Sequence, residues 1–397
     1  MREFALTPTE IVVVGAGMVA HRFVESLLSR AESPLHVTVI GDEGRHPYDR
    51  RRLTDFISGS SAEDLELDRS VLDDFRVRLL ADDRVLRIDR ARRTVTTRSR
   101  TVVPYDTLVL ATGSYAAKLA VDGADLPGCF LYRTLDDAQQ LKDFVDWRRV
   151  ALGRRLRGAV IGGGPLGLEA AGALQGMDID ATVVPYSGRL LSDPLDSANG
   201  GKHEGLLERR GIAVRAESRT TRIDPDDSGA VAALEFQDGS VERADVVVFT
   251  LGVRPRDELA RNAGLQVAPR GGVVIDDRCS TSDPLILAIG EVANFDGRCV
   301  GLVASGYAMA EVAATRLLGG DAVFRGYDES STLMLSGVED DVDVARFGDA
   351  IAYGALRPLV GATHSAEPAA QLLPLGGSEA RARFPRRVTA MVAESRT

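Results

Sequence analysis

Two glycine clusters carry the chemistry that can be read directly from residue type and spacing. Gly15 and Gly17 open the run GAGMVA at 15–20, between an apolar stretch at 11–14 and a segment where Phe23, Val24, Leu27 and Leu28 recur at helical spacing. A strand, a tight turn and a helix in that order aim the unpaired N–H groups of the helix start at whatever occupies the turn. Gly15 permits the reversal, Gly17 lets the backbone approach a pyrophosphate, and Ala20 keeps the helix close to the sheet, with Met18 and Val19 completing the turn. The next apolar run ends at Gly41, and Asp42 or Glu43, about 25 residues beyond the glycines, can accept hydrogen bonds from a ribose diol. The chemistry implied is dinucleotide recognition.

The pattern returns after an apolar run at 159–161. Gly162, Gly164 and Gly167 form a full GxGxxG that includes Pro165 and Leu166, and Glu169 follows on the helix. A second strand follows at 181–184, but Pro185-Tyr186-Ser187 stands where an acid would hold the ribose of NAD. Arg189 lies nearby as a phosphate contact, so NADH and NADPH both stay open.

Elements that could position these turns are short and apolar. The run 107–114 ends in Ala111-Thr112-Gly113, 246–255 repeats that form around Gly252, and 286–291 leads into Gly290-Glu291. Each alone reads as a strand end in a parallel sheet; their order around the two glycine clusters makes them parts of two nucleotide sites.

Bulk properties set the class. A chain of 397 residues, 44% hydrophobic and 27% charged, is long enough for two or three domains with buried cores. A net charge of −10 excludes a general nucleic-acid or anionic-membrane binder. No leader or membrane-length apolar run is evident, and a cytoplasmic location is expected. The three cysteines, Cys129, Cys279 and Cys299, are too far apart for a CxxC pair, and the five histidines show no ligand spacing, so no metal is expected.

With these motifs in place, the chain resembles the two-dinucleotide-binding flavoproteins of the pyridine nucleotide-disulfide oxidoreductase superfamily, over residues 10 to about 350. The segment 41–53 (GDEGRHPYDRRRL) is similar to a signature of ferredoxin-type reductases. Residues 17–22 (GMVAHR), 132–138 (YRTLDDA), 301–310 (GLVASGYAMA), 328–332 (DESST) and 344–349 (VARFGD) resemble the FAD-binding N-terminal part of the assimilatory NAD(P)H-dependent nitrite reductase large subunit. The resemblance implies an α/β fold with two Rossmann-like domains and a short C-terminal α+β segment. An FAD-binding domain is expected over 1–118 and 247–326, an inserted NAD(P)H-binding domain over 119–246, and an interface segment with a partly disordered tail over 327–397. It further implies FAD contacts at Gly15, Gly17, Met18, Val19, Ala20, Asp42, Glu43, Arg50, Val85, Ala111, Thr112, Gly113, Gly252, Gly290 and Glu291. Contacts to NADH or NADPH are implied at Gly162, Gly164, Pro165, Leu166, Gly167 and Glu169, with Glu169 and Arg50 as the candidate catalytic pair.

The departures matter as much. No cysteine lies between His46 and Ser58, so dithiol chemistry is not expected. Asp55 replaces the lysine that relatives place there, leaving Glu169 without that partner unless Arg50 or Arg52 substitutes. Nitrite reductases continue into iron–sulfur and sirohaem domains beyond the point where this chain ends, and nitrite reduction by this chain alone is not expected. The leading reading is an FAD-dependent NAD(P)H oxidoreductase that supplies electrons to a redox partner. A stand-alone flavoenzyme acting on a small molecule or oxygen, and a non-catalytic FAD-bound subunit, remain as alternatives. Pairing into a homodimer is expected through the segment after 326.

Overall fold

The computed structural model describes residues 8–186, 190 and 207–327, together with the backbone of short strands between 331 and 372. β1 (Thr9–Val14) runs into α1 (Met18–Leu28), and the chain returns as β2 (Leu35–Ile40). After the short α2 (Leu53–Ile57) comes β3 (Val77–Leu80). An antiparallel meander of β4 (Val85–Asp89), β5 (Thr94–Thr97) and β6 (Val102–Pro104) then leads to β7 (Thr107–Leu110).

The same plan follows a second time. β8 (Ser114–Ala116) leaves the first unit, and β9 (Cys129–Leu131) and α3 (Leu135–Leu152) precede β10 (Leu156–Ile161). Then come α4 (Pro165–Gly176), β11 (Ile179–Val184) and β12 (Ala213–Val214). A second meander, β13 (Thr220–Pro225), β14 (Val231–Phe236) and β15 (Val241–Arg243), leads to β16 (Val246–Phe249). β17 (Val253–Pro255) and α5 (Glu258–Asn262) bring the chain back. It ends this part through β18 (Val273–Ile275), β19 (Ile286–Ala288), β20 (Ala293–Phe295) and α6 (Val303–Leu317).

The strands form two five-stranded parallel sheets, ordered β19-β7-β1-β2-β3 and β12-β11-β10-β16-β9. In both, the strand before the glycine turn lies between the strand that follows the helix and the strand that follows the meander. Such strands are covered on both faces, which is why 11–14 and 246–249 read as unbroken apolar runs instead of alternating ones. The α/β architecture with two Rossmann-type units matches the expectation. One boundary does not. Residues 246–249 pair with β10 and β9, so the return to the first unit falls after Phe249 and not at 247. The crossing itself is the antiparallel β8–β17 pair, with Arg254 opposite Tyr115.

Helix starts fix the geometry near the turns. The side-chain oxygen of Thr134 accepts the Asp137 N–H (3.1 Å) and the Asp137 carboxylate accepts the Thr134 N–H (2.9 Å), a reciprocal cap that sets the start of α3. α1 buries Phe23, Val24 and Leu27 in the first core and is tied to α6 by ion pairs from Arg22 (2.8 Å) and Arg30 (3.1 Å) to Glu311. Three antiparallel strands at Ser331–Leu335, Val342–Phe347 and Ala350–Gly354 follow. The side chains of 328–397, on which the expected interface rests, and Arg189 lie outside the described residues.

Candidate functional site

The first turn is closed by backbone contact. The Gly15 N–H donates to the Ile40 carbonyl (2.7 Å) and the Ala111 N–H to Val14 (2.8 Å), so β1, β2 and β7 meet at one point. Gly15 sits at φ +114°, and a Cβ there would lie 2.1 Å from the Ala111 carbonyl oxygen. Gly17 caps α1 without a side-chain hydrogen bond and has open space around it, which leaves the N–H groups of the first turn, at Met18, Val19 and Ala20, for an anion. Gly15, Asp42, Val85 and Thr112 line one cleft, four of the expected residues gathered from four separate segments.

That cleft also contains Arg256 and Tyr115, which sequence reasoning missed. Arg256 lies 3.4 Å from the Asp42 carboxylate, its guanidinium sits 4.4 Å from the Tyr115 ring centre, and its carbonyl accepts the Thr112 hydroxyl at 2.8 Å. Arg256 follows β17 in a stretch without period or spacing, so only the β8–β17 pairing reveals it.

Glu43 and Arg50 are placed elsewhere. The Glu43 carboxylate accepts the Tyr48 hydroxyl (2.8 Å) and pairs with Arg50, whose other nitrogen donates to the Arg133 carbonyl (3.1 Å). Burial raises the Glu43 carboxyl, but the charge of Arg50 and hydrogen bonds from Arg50 and Tyr48 outweigh it and hold it below its ordinary value. Of the two acids after β2, Asp42 therefore faces the cleft, and Glu43 with Arg50 fastens the 41–53 segment to the start of α3.

Gly290-Glu291 lies outside that cleft lining, against the helix side of the same turn. Gly290 is at φ +76° with its Cα side against Val19, so this turn abuts the start of α1. Glu291 accepts the Ser114 hydroxyl (2.6 Å) and pairs with Arg133, whose Nε also donates to the Ser114 carbonyl (3.0 Å). Ser114 closes the 107–114 run and Arg133 lies within the 132–138 motif, although the sequence assigns neither a role of its own.

The second turn reproduces the first almost atom for atom. The Gly162 N–H donates to Val184 (2.9 Å), the Thr250 N–H to Ile161 (2.9 Å), and a Cβ on Gly162, at φ +133°, would lie 2.4 Å from the Thr250 carbonyl. Gly167 packs so closely that a Cβ would lie 2.1 Å from the Gly162 carbonyl oxygen. Gly164 caps α4 in open space, Pro165 takes the first helical position where its missing N–H is harmless, and Leu166 packs against the second core. Gly252, at φ +86°, accepts the Ala117 N–H (2.8 Å) and occupies in the second crossover the place of Gly113, at φ +68°, in the first.

Glu169, on α4, has no hydrogen bond or ion pair among the described residues, and burial pushes its carboxyl up to about 7. Neither arginine replaces the missing lysine. Arg50 is taken by Glu43, and Arg52 pairs with Asp55 itself at 2.8 Å. Nearby, Tyr132 is buried with its hydroxyl 2.9 Å from that of Thr54. Burial pushes the thiols of Cys129 and Cys279 up to about 12, and all three cysteines are free. Among the described residues no helix is long and apolar enough to cross a membrane.

Comparison with known proteins places this geometry. A model of the pyridine nucleotide-disulphide oxidoreductase family matches residues 9–315. The chain is 39% identical over 347 residues to the nitrite reductase (NADH) large subunit of Escherichia coli (strain K12), covering 87% of this chain and 40% of that protein. It therefore spans less than half the length of that relative. Rhodocoxin reductase of Rhodococcus erythropolis is 34% identical over 288 residues, which are 72% of this chain and 65% of that protein. The crystal structure of a covalent putidaredoxin reductase–putidaredoxin complex matches with a TM-score of 0.74 and 26% identity, over 85% of this chain and 81% of that one.

Proposed function

The chain belongs to the pyridine nucleotide-disulphide oxidoreductase family, and from that premise we propose that it is an FAD-dependent NAD(P)H oxidoreductase that passes electrons to a partner redox protein without a redox-active disulfide. The observation that carries this is the duplication. Two parallel sheets each end in a turn where a glycine without Cβ touches the opposite strand and an uncapped helix start faces open space. Each turn fits one pyrophosphate.

FAD is assigned to the first turn because Asp42 and Arg256 line the cleft beside Gly15, and Gly290-Glu291, tied to Ser114 and Arg133, lies against Val19 at the start of α1. In this reading α1 holds the pyrophosphate, Asp42 accepts from the ribose, and Glu291, beside the start of α1, is a further acceptor. The second turn and α4 hold the pyrophosphate of NADH or NADPH. The FAD unit comprises residues 1–118 and the chain after β16, and the NAD(P)H unit the segment between them. Bound flavin supplies the acceptor for a hydride from the nicotinamide and the store from which electrons leave. Glu169, half-buried on α4 and protonated below about pH 7, lets the chain hold a proton within the nicotinamide-binding unit.

A partner protein is favoured because a relative is named as a reductase of rhodocoxin and a structural neighbour is a reductase joined to putidaredoxin. Mixing the flavin-loaded protein with NADH or NADPH in the absence of oxygen should bleach the flavin absorbance. Bleaching by neither nucleotide overturns the proposal and leaves the non-catalytic reading. Faster reoxidation by a ferredoxin-type protein than by air supports the partner; the reverse order favours the stand-alone reading.

A further inference from the structure

The two turns differ at one position that decides which nucleotide fits. Gly15 donates to Ile40 and Gly162 to Val184, so the residue two places past β2, Asp42, corresponds to the residue two places past β11, Tyr186. A carboxylate at this place accepts the ribose diol of NADH and repels a 2′-phosphate. The second unit carries a neutral phenol there. Pro185, just before it, packs on the phosphate turn, since a Cβ on Gly163 would lie 2.9 Å from the Pro185 Cβ. Tyr186 is thus on the rim of the pyrophosphate site, and its ring is about half exposed.

A cation stands beside it. The chain passes from β12 along the end of β11, where the Arg215 N–H donates to Val183 (2.9 Å), and reaches Arg219. The Arg219 guanidinium lies 5.5 Å from the Tyr186 ring centre and donates to its hydroxyl at 3.3 Å. Arg215 is committed to Glu242 (3.1 Å) and Asp238 (3.7 Å), whereas Arg219 pairs with no carboxylate among the described residues. An exposed guanidinium held beside a tyrosine, with no acid paired to it among the described residues, at the ribose end of a dinucleotide turn matches the charge and planar geometry of a phosphate.

Resting on the assignment of the second turn to a pyridine nucleotide, we propose that Tyr186 and Arg219 form a 2′-phosphate subsite that makes NADPH the preferred electron donor. Arg219 binds the phosphate, and Tyr186 holds the guanidinium in place and offers its ring to the adenine. Neither residue touches the reacting atoms; both act on nucleotide selection.

The test uses the flavin-loaded protein. Titration calorimetry with 2′,5′-ADP against ADP reads the subsite without turnover, and anaerobic flavin reduction reads kcat/KM for NADPH and NADH. Expected are tighter binding of 2′,5′-ADP and a preference for NADPH of about 10- to 100-fold, the usual range for a charged hydrogen-bonded pair. Arg219→Ala should remove most of that preference through KM for NADPH and leave NADH within about twofold. Arg219→Lys should restore part of it. Equal binding of the two ADP species, an NADH preference, or a loss in Arg219→Ala shared by both nucleotides overturns this subsite while leaving the oxidoreductase reading standing. Bleaching by neither nucleotide overturns both.

Discussion

The two dinucleotide turns share a backbone and differ in what surrounds it. At the first, Asp42 is paired with Arg256 and the helix residue Arg22 is paired with Glu25 and Glu311. At the second, the positions of Asp42 and Arg22 are held by Tyr186 and Glu169, and Glu169 has no partner among the described residues. The glycine geometry is common to both turns, so a difference in what they bind has to come from the side chains that arrive from other segments. A first site with paired charges suits a cofactor that stays; a second whose Glu169 and Arg219 have no charge partner among the described residues suits one that comes and goes.

The strongest way to break this comparison is to put a methyl group on each turn. At Gly15 the left-handed backbone alone costs an alanine about 1–3 kcal/mol, and its Cβ would sit 2.1 Å from Ala111 O. Gly15→Ala should purify with less than about a tenth of the normal flavin and a lower Tm, because β1 and β7 must separate. Gly162→Ala, with its own contact at 2.4 Å, should keep the flavin and lose bleaching by either nucleotide. Flavin content and stopped-flow bleaching check both variants. If the two phenotypes exchange, the cofactor assignment is inverted.

Next in size is the unpaired acid. The Glu169 carboxyl rises from an ordinary 4.5 to about 7 because burial penalises its charged form. The native state therefore holds a proton that the unfolded chain releases, and stability falls as pH rises from about 4.5 to about 7. The loss is on the order of 3 kcal/mol at most. Glu169→Gln should flatten this dependence and be more stable than the parent at pH 8, with little difference at pH 4.5, as read by urea unfolding. A parallel pH profile in the two proteins would falsify the claim that Glu169 is unpaired.

Glu43 has the opposite sign. Its folded carboxyl titrates below the ordinary 4.5, so its contribution is present above that value and disappears as pH falls through the lower one. Glu43→Gln should cost about 1–2 kcal/mol at pH 7 by weakening the Tyr48 and Arg50 contacts, without lowering flavin content as Gly15→Ala does. Loss of flavin in Glu43→Gln would return Glu43 to the cleft.

These differences also mark what the sequence could convey. Gly15, Gly162 and the strands around them were legible because turn and periodicity are local: a residue, its neighbours and the helix that follows are enough. The first and second units were recognisable as repeats for the same reason. Arg256 and Arg219 were not, since each reaches its site through a pairing between distant strands and leaves no spacing to detect; Ser114 and Arg133 stood in quoted segments, but their link to Glu291 was hidden. The split between Asp42 and Glu43 was equally hidden. Adjacent residues leaving a strand point apart, and which of them meets the cleft depends on where Tyr48 and Arg50 have been anchored. The placement of β16 shows a third limit, because an apolar run states that it is buried without saying in which sheet.

The smallest effect tests the rim residues themselves. The Asp42–Arg256 pair is at 3.4 Å with both side chains about a quarter to a third exposed, a setting in which an ion pair is worth less than about 1 kcal/mol. Asp42→Asn should therefore leave Tm nearly unchanged. It should still weaken flavin retention by up to about tenfold, since an amide accepts ribose hydrogen bonds less strongly than a carboxylate. The mirror variant, Tyr186→Asp, should move the second rim toward the chemistry of the first, raising kcat/KM for NADH relative to NADPH with the flavin undisturbed. If Asp42→Asn releases no flavin on gel filtration and Tyr186→Asp leaves the nucleotide ratio where it was, the rims do not distinguish the ligands. The difference between the units would then lie in the residues at their helix starts, Gly290-Glu291 against α1 and the half-buried Glu169 on α4.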